Sequence, residues 1–173
     1  MLSDETLVAA VARGDAHALE VLCRRWESSL HRLIWRQTGG RDVDDLHQET
    51  WLRVVRAAGR FDATKRFSTW LFRIAINCCR DWQRRRPAEP VDPSTIERPD
   101  PAGDPAASVD ASIDAARLLA ALPEGQREVI VLRHFHDLSE ADVAAVLDVP
   151  VGTVKSRFHN AMARLRALAS EQA

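Results

Sequence analysis

Tyrosine is absent from the 173 residues and glycine occurs only seven times. So few turn-forming residues argue against a turn-rich β architecture. The residues that dominate instead, Ala, Leu, Arg, Val and Glu, favour helices. No stretch approaches the roughly 20 apolar residues needed to span a bilayer. The N-terminus opens on Ser3, Asp4 and Glu5 rather than on a basic segment followed by an apolar one, so a cytoplasmic chain without membrane insertion is expected. The three cysteines, Cys23, Cys78 and Cys79, are an odd set. Adjacent Cys78 and Cys79 are poorly placed to bridge each other, so buried free thiols are expected. There is no phosphate-binding glycine loop and no nucleophile motif. His134 and His136 precede Asp137 at a helix end without a Cys or Glu cluster at ligand spacing. A capping or surface role is therefore expected, and neither a metal nor a cofactor.

A net charge of −1 is also little for a nucleic-acid binder, but the average conceals segregation, and segregation creates local fields. Residues 60–86 hold eight basic side chains against Asp62 and Asp81, a balance of +6. Residues 150–166 add Lys155, Arg157, Arg164 and Arg166 with no acid. Between them, residues 87–114 carry seven acids against Arg98 alone, a balance of −6.

Six of the eight prolines, Pro87, Pro90, Pro93, Pro99, Pro101 and Pro105, lie in this acidic stretch. Such a run cannot sustain a helix and buries too little surface to order itself. The expected fold is all-α: two small helical domains, 1–86 and 111–173, joined by a flexible Pro/Asp-rich linker, 87–110. In the first domain Ser3 starts a helix through Ala12, and Gly14-Asp15 breaks it and caps a second to about Gln37. Gly39-Gly40 ends that one, and Asp42 opens a third reaching Ala58. A loop from Gly59 to Phe67 leads to a fourth helix, capped by Ser68 and running to about Arg85. The second domain reads as helices near 111–121, 124–134, 139–147 and 151–168.

On the fourth helix, Arg66, Trp70, Arg73, Asn77, Arg80 and Arg84 fall within an arc of about 80°. Leu71, Phe72, Ala75, Ile76, Cys78, Cys79 and Trp82 fill the opposite side. A row of guanidinium groups suits a phosphate backbone, and an amide and an aromatic among them suit unstacked bases. The residues alone also fit a solvated Arg-rich face with Trp70 tucked against a neighbour. The preceding loop brings Arg60, Phe61, Lys65, Arg66 and Phe67 to the helix start. It can hold an extruded base; equally, Phe61 and Phe67 can anchor the loop to the core.

The third helix carries Asp42, Asp45 and Glu49 on one arc, with Gln48 and Leu52 beside it. Ordinary solvated charge and a surface for a basic protein partner both fit, and acid–base chemistry lacks a nucleophile or third ligand nearby. In the second domain Ser139 and Asp142 form a capping box. Asp148-Val149-Pro150 then breaks the chain before the basic helix that opens Val151-Gly152-Thr153-Val154-Lys155-Ser156-Arg157. This is helix-turn-helix spacing, whose second helix presents its first turns to a major groove.

Three segments in series resemble one family, the extracytoplasmic-function (ECF) sigma factors of bacterial RNA polymerase. Asp42-Val43-Asp44-Asp45-Leu46-His47-Gln48-Glu49-Thr50 is similar to the D-x-x-D-L-x-Q-E-T signature of their region 2.2. Phe67-Ser68-Thr69-Trp70-Leu71-Phe72-Arg73-Ile74-Ala75-Ile76-Asn77 resembles the adjoining F-x-x-W-L-x-R-I-A-x-N. Pro150 to Arg157 resembles the P-V-G-T-V-K-S-R of region 4.2. The resemblance implies a region 2 bundle, a region 4 helix-turn-helix and no enzymatic activity. It implies that Asp42, Asp45, Leu46, Gln48, Glu49 and Leu52 bind the polymerase β′ clamp helices, and that the β flap is a second polymerase contact.

It further implies minus-10 promoter contacts from Arg60, Phe61, Lys65, Arg66, Phe67, Trp70, Arg73, Asn77, Arg80 and Arg84. Minus-35 contacts would come from Gly152, Thr153, Lys155, Ser156, Arg157 and His159, and an anti-sigma factor is an implied partner. Asn160 and Met162 stand where the family often has arginines, which leaves fewer phosphate contacts and an open promoter preference. The chain ends soon after the helix-turn-helix, so no appended regulatory domain is expected. Two rivals are a helix-turn-helix repressor or activator acting without core polymerase, and a metal-dependent hydrolase using Asp42, Asp45 and Glu49.

Overall fold

Helices α1 and α2 of the first domain begin where a side chain satisfies free N–H groups of the first turn. Ser3 Oγ accepts from Thr6 N–H at 3.2 Å and starts α1 (Asp4–Val11). Asp15 Oδ1 accepts from the N–H groups of His17 and Ala18 and starts α2 (Ala16–Thr38). These oxygens replace the hydrogen bonds that a helix start lacks. Gly39 and Gly40, at φ 65° and 82°, end α2 in the left-handed region. A Cβ on Gly40 would lie 2.9 Å from Trp35 Nε1, so this turn has no room for a side chain.

The computed structural model describes residues 2–85 and 109–171, all helical or turn, with no strand among them. Helix α3 (Val43–Ala57) runs into a short 3-10 turn, Ala58–Arg60, before α4 (Phe67–Arg85). The second domain comprises α5 (Val109–Ala120), α6 (Glu124–Ile130) continuing through a π-helical turn (Val131–Phe135), α7 (Glu140–Leu147) and α8 (Val151–Glu171). Most of the expected linker lies outside the described residues, and α5 starts two residues inside the expected linker end.

Two local expectations change. Helix α4 starts at Phe67, not after a Ser68 cap, because the Phe67 N–H donates to Glu5 Oε1 at 3.1 Å. That hydrogen bond holds the Glu5 carboxyl below its usual range, and it ties α1 to α4 across 62 positions. Asp42 precedes α3 with φ 50° but makes no side-chain cap. Its carboxylate accepts instead from Trp82 Nε1 on α4, at 2.7 Å.

The first core packs Val8, Leu22, Leu30, Leu33, Ile34, Val54, Leu71, Ala75 and Ile76, all fully buried. Trp26 sits edge-on to Phe67 and Phe72, centroids 5.9 and 5.7 Å away, and donates its indole N–H to Asp4 at 3.0 Å. Such a ring supplies large apolar area while its one polar atom is satisfied. In the second domain Val129, Val131, Leu132, Val143, Val154 and Ala161 are fully buried. Cys78 and Cys79 are buried free thiols, as expected, and Cys23 is half-buried and free.

The two domains touch along α4. Phe72 meets the His136 ring at 4.8 Å, and Arg36 of α2 lies 4.0 Å over Phe135. His136 does stand at a helix end, as the residue that follows the π-helical turn, but its ring is half-buried against Phe72. Burial and the nearby Arg36 and Arg32 push its pKa down to about 3, which keeps it neutral.

Candidate nucleic-acid interface

The helix-turn-helix is built by local chemistry. Ser139 Oγ accepts from Asp142 N–H at 3.1 Å and caps α7. Asp148 takes φ 57°, a left-handed conformation that Asp tolerates better than most residues, and its N–H bonds back to Ala144 O. Pro150 then accepts from Thr153 and Val154 N–H as α8 begins. Along α8, Gly152, Lys155, Ser156, His159 and Asn160 are exposed, while Val154 and Ala161 anchor the inner side. Thr153 is half-buried, and Ser156 Oγ donates to its carbonyl at 3.1 Å. Lys155 is 3.7 Å from Glu140. Arg157 is turned inward: a Cβ on Gly125 would lie 3.1 Å from its guanidinium carbon, so α8 carries fewer outward cations than its sequence suggests.

The fourth helix separates into the two expected faces, with one correction. Leu71, Phe72, Ala75, Ile76, Cys78 and Cys79 are buried, and Arg73, Asn77 and Arg84 are exposed. Phe67, for which stacking and anchoring were both open and for which the resemblance implies a minus-10 contact, is only 1% exposed and belongs to the core. Its ring is enclosed by Trp26, Phe61 and Trp70, with centroids 5.9, 6.2 and 5.9 Å away. Phe61 and Trp70, 5.0 Å apart, are each half-buried and keep edges at the surface. Arg60, Lys65 and Arg66 of the same loop segment are exposed. In the loop, Asp62 Oδ1 accepts from the Thr64 N–H and hydroxyl at 3.0 and 2.7 Å.

The acidic face of α3 borders a groove lined by Asp42, Asp45, Leu46, Glu49, Arg53, Cys78, Asp81, Trp82 and Arg85. Asp45, Gln48 and Leu52 are exposed, whereas Leu46 is a core residue that shows only an edge to this groove. Arg53 was not singled out by its sequence, although its i,i+4 spacing from Glu49 is a recognisable helix pairing. Its Nε donates to Glu49 and its Nη1 to Asp81, both at 2.8 Å. Asp81 pairs with Arg84 as well. These bonds hold Arg53 firmly protonated and keep the Asp81 carboxyl low, Arg53 being the main cause. Asp42 is fixed by Trp82. Asp42 is thus oriented from α4 and Glu49 by Arg53 of its own helix, which Asp81 of α4 holds in turn, and the exposed apolar side chains of Leu52 and Val55 lie on the same helix. A preorganised anionic rim around apolar surface suits a basic protein partner.

The chain's two halves match two families, Sigma-70 region 2 over residues 22–88 and Sigma-70 region 4 over residues 113–165. It is 41% identical over 168 residues to the ECF RNA polymerase sigma factor SigM of Mycobacterium tuberculosis, covering 96% of this chain and 84% of that protein. It is 33% identical to the ECF RNA polymerase sigma-E factor of Escherichia coli, covering 92% and 91%. Among solved structures, CnrH in complex with the cytosolic domain of CnrY matches with a TM-score of 0.76 at 32% identity, covering 98% of this chain and 99% of that one. The sigma factor RpoE of Bartonella quintana, in complex with the anti-sigma factor NepR, matches with a TM-score of 0.73 at 26% identity, covering 87% and 96%. With both sigma regions present in order and whole-length relatives at this identity, the chain belongs to the ECF sigma factors of RNA polymerase.

Proposed function

We propose that this sigma factor docks on core RNA polymerase through the acidic face of α3 and reads the minus-10 element on α4. The first turns of α8 take the minus-35 major groove. The observation that carries this reading is the division of surfaces: the oriented acids lie at one edge of α4 and the cationic, half-aromatic stripe at another. Each surface therefore meets a partner of opposite charge without opposing the other. Asp42, Asp45, Gln48, Glu49 and Leu52 would bind the β′ clamp helices, and region 4 the β flap. Arg60, Phe61, Lys65, Arg66, Trp70, Arg73, Asn77, Arg80 and Arg84 would capture the unstacked strand. Gly152, Thr153, Lys155, Ser156, Arg157 and His159 would contact duplex DNA.

Capturing flipped or unstacked bases lowers the free energy of the open strand, so melting follows from binding and the polymerase performs the chemistry. The protein would act in the cytoplasm as a specificity subunit without a reaction of its own. Regulation by an anti-sigma factor is supported by the likeness to RpoE in its complex with NepR. The hydrolase reading is disfavoured because Asp42 and Glu49 are already engaged by Trp82 and Arg53. The test is transcription by core polymerase plus this protein on a fragmented genomic template. Discrete transcripts absent with core alone are expected, together with co-elution of the protein with core; failure of both favours a free-standing DNA-binding regulator.

A further inference from the structure

Gly125 lies in the first turn of α6 and outside the left-handed region, so its backbone does not call for glycine. A glycine inside a helix also weakens it relative to almost any other residue. What the position lacks is room. A Cβ there would come within 3.1, 3.2 and 3.3 Å of Cζ, Nη1 and Nε of Arg157 on α8. An approach in the plane of the guanidinium would put a nitrogen nearest. With the central carbon nearest, the group lies face-on against bare backbone. Arg157 is half-buried there. Glu140, at the start of α7, is committed elsewhere, 3.7 Å from Lys155 and 3.3 Å from Arg133.

We propose that Gly125 is a positioning residue for duplex binding: it seats the Arg157 guanidinium on α6 and so withholds one phosphate-binding cation from α8. This rests on the reading of α8 as the duplex-contacting helix. Arg157 reaches the duplex only by leaving its seat. The first turns of α8 then present Lys155 as their basic group, exposed beside Gly152, Ser156 and His159. Phosphate contacts supply attraction that is blind to sequence, whereas base edges carry the discrimination. A recognition helix with one cation held back therefore rests a larger share of its binding on base edges.

The seat is matched to a guanidinium. That group is planar and weakly hydrated, so it can rest on backbone at little desolvation cost, whereas the compact, strongly hydrated ammonium of a lysine favours solvent. The seat also depends on the missing side chain. A methyl group at position 125 moves the guanidinium by a few tenths of an ångström, and a longer apolar side chain fills the space outright. Helix α8 does not need Arg157 to stay in place. Val154 and Ala161 are fully buried, and Arg133 lies 5.1 Å over the Phe158 ring. Displacing Arg157 thus changes the charge that α8 presents without undocking the helix.

The test uses the full chain and a fluorescein-labelled, mixed-sequence duplex of about 30 base pairs, with affinity read by anisotropy between about 50 and 200 mM salt. Gly125→Leu fills the seat with a good helix former. It should steepen the log–log salt slope by about one unit, for one more phosphate neutralised, and tighten binding at the lowest salt roughly threefold. Gly125→Ala should shift both readouts in the same direction by less. Arg157→Ala in the Gly125→Leu background should abolish the gain. Arg157→Lys leaves α6 untouched and should steepen the slope likewise, so it decides the matter if Gly125→Leu fails to fold. An unchanged or shallower slope in folded Gly125→Leu, a gain that survives Arg157→Ala, or an unchanged slope in Arg157→Lys overturns the proposal. Lys155→Ala should flatten the slope in every background. If it does not, the reading of α8 as the duplex-contacting helix is itself wrong, an outcome distinct from the failure of the seat.

Discussion

Replacing Phe67 separates two roles that its sequence context leaves open. The side chain is fully enclosed by Trp26, Phe61 and Trp70, and its N–H is held by Glu5. Phe67→Ala removes a buried ring and leaves a cavity, a change that costs about 3–5 kcal/mol. A domain of this size has about 5–15 kcal/mol in total, so a large share of the first domain's stability is at stake. At a urea dependence of about 1–3 kcal/mol per molar, the unfolding midpoint should fall by roughly 2 M. Tryptophan emission reports the transition, because Trp26 and Trp70 line the site. Phe61→Ala, at a half-buried ring, should cost roughly 1 kcal/mol and weaken single-strand binding instead. Phe67→Leu largely refills the space and should bind the single strand as the wild type does. A Phe67→Leu protein that keeps its midpoint but loses single-strand affinity would refute the core assignment and restore Phe67 as a base-stacking residue.

Reversing charge with Asp45→Lys and Glu49→Lys should reduce core polymerase binding at least tenfold in a pull-down titration, with the helical circular dichroism retained; equal affinity would remove α3 as the docking face. Lys155→Ala with Arg157→Ala should weaken duplex binding and flatten its salt dependence, by about one unit of log–log slope for each phosphate that is no longer neutralised. Because Arg157 lies over Gly125, Lys155→Ala alone should account for most of that weakening, which separate titrations of the single variants will check. His136 is neutral where it packs on Phe72 between charged arginines, and its ordinary pKa of 6.5 is depressed to about 3. The stability it contributes to the docked arrangement is full above pH 6.5 and declines as pH falls toward 3. At pH 5.5 the docked arrangement should be disfavoured about tenfold relative to pH 7.5, visible as an increase in the radius of gyration that His136→Phe abolishes.

Much of this fold was legible in the sequence because its signals are local. Ser3, Asp15 and Ser139 cap the helices they precede, and the glycines and Asp148 end them where left-handed backbone is needed. The 3.6-residue period assigned the buried side of α4 correctly, since six of its seven expected core residues are buried and Trp82 is half-buried. The start of α4 was misplaced because its cap is Glu5, a residue 62 positions away. No local pattern carries that information.

The sequence by itself determined the helices, their two faces, the segregation of charge and the family, because all of these depend on residue type and on spacing along one helix. Tertiary structure alone decided which charged groups are free. Arg80 reads as an open phosphate ligand until Glu128 is brought against it, and Asp42 as a helix cap until Trp82 takes its carboxylate. Phe67 reads equally as a stacking surface and as an anchor until three aromatic rings close around it. The physical reason is the same in each case: a side chain's availability is set by neighbours distant in sequence, and their approach is fixed only when the helices pack.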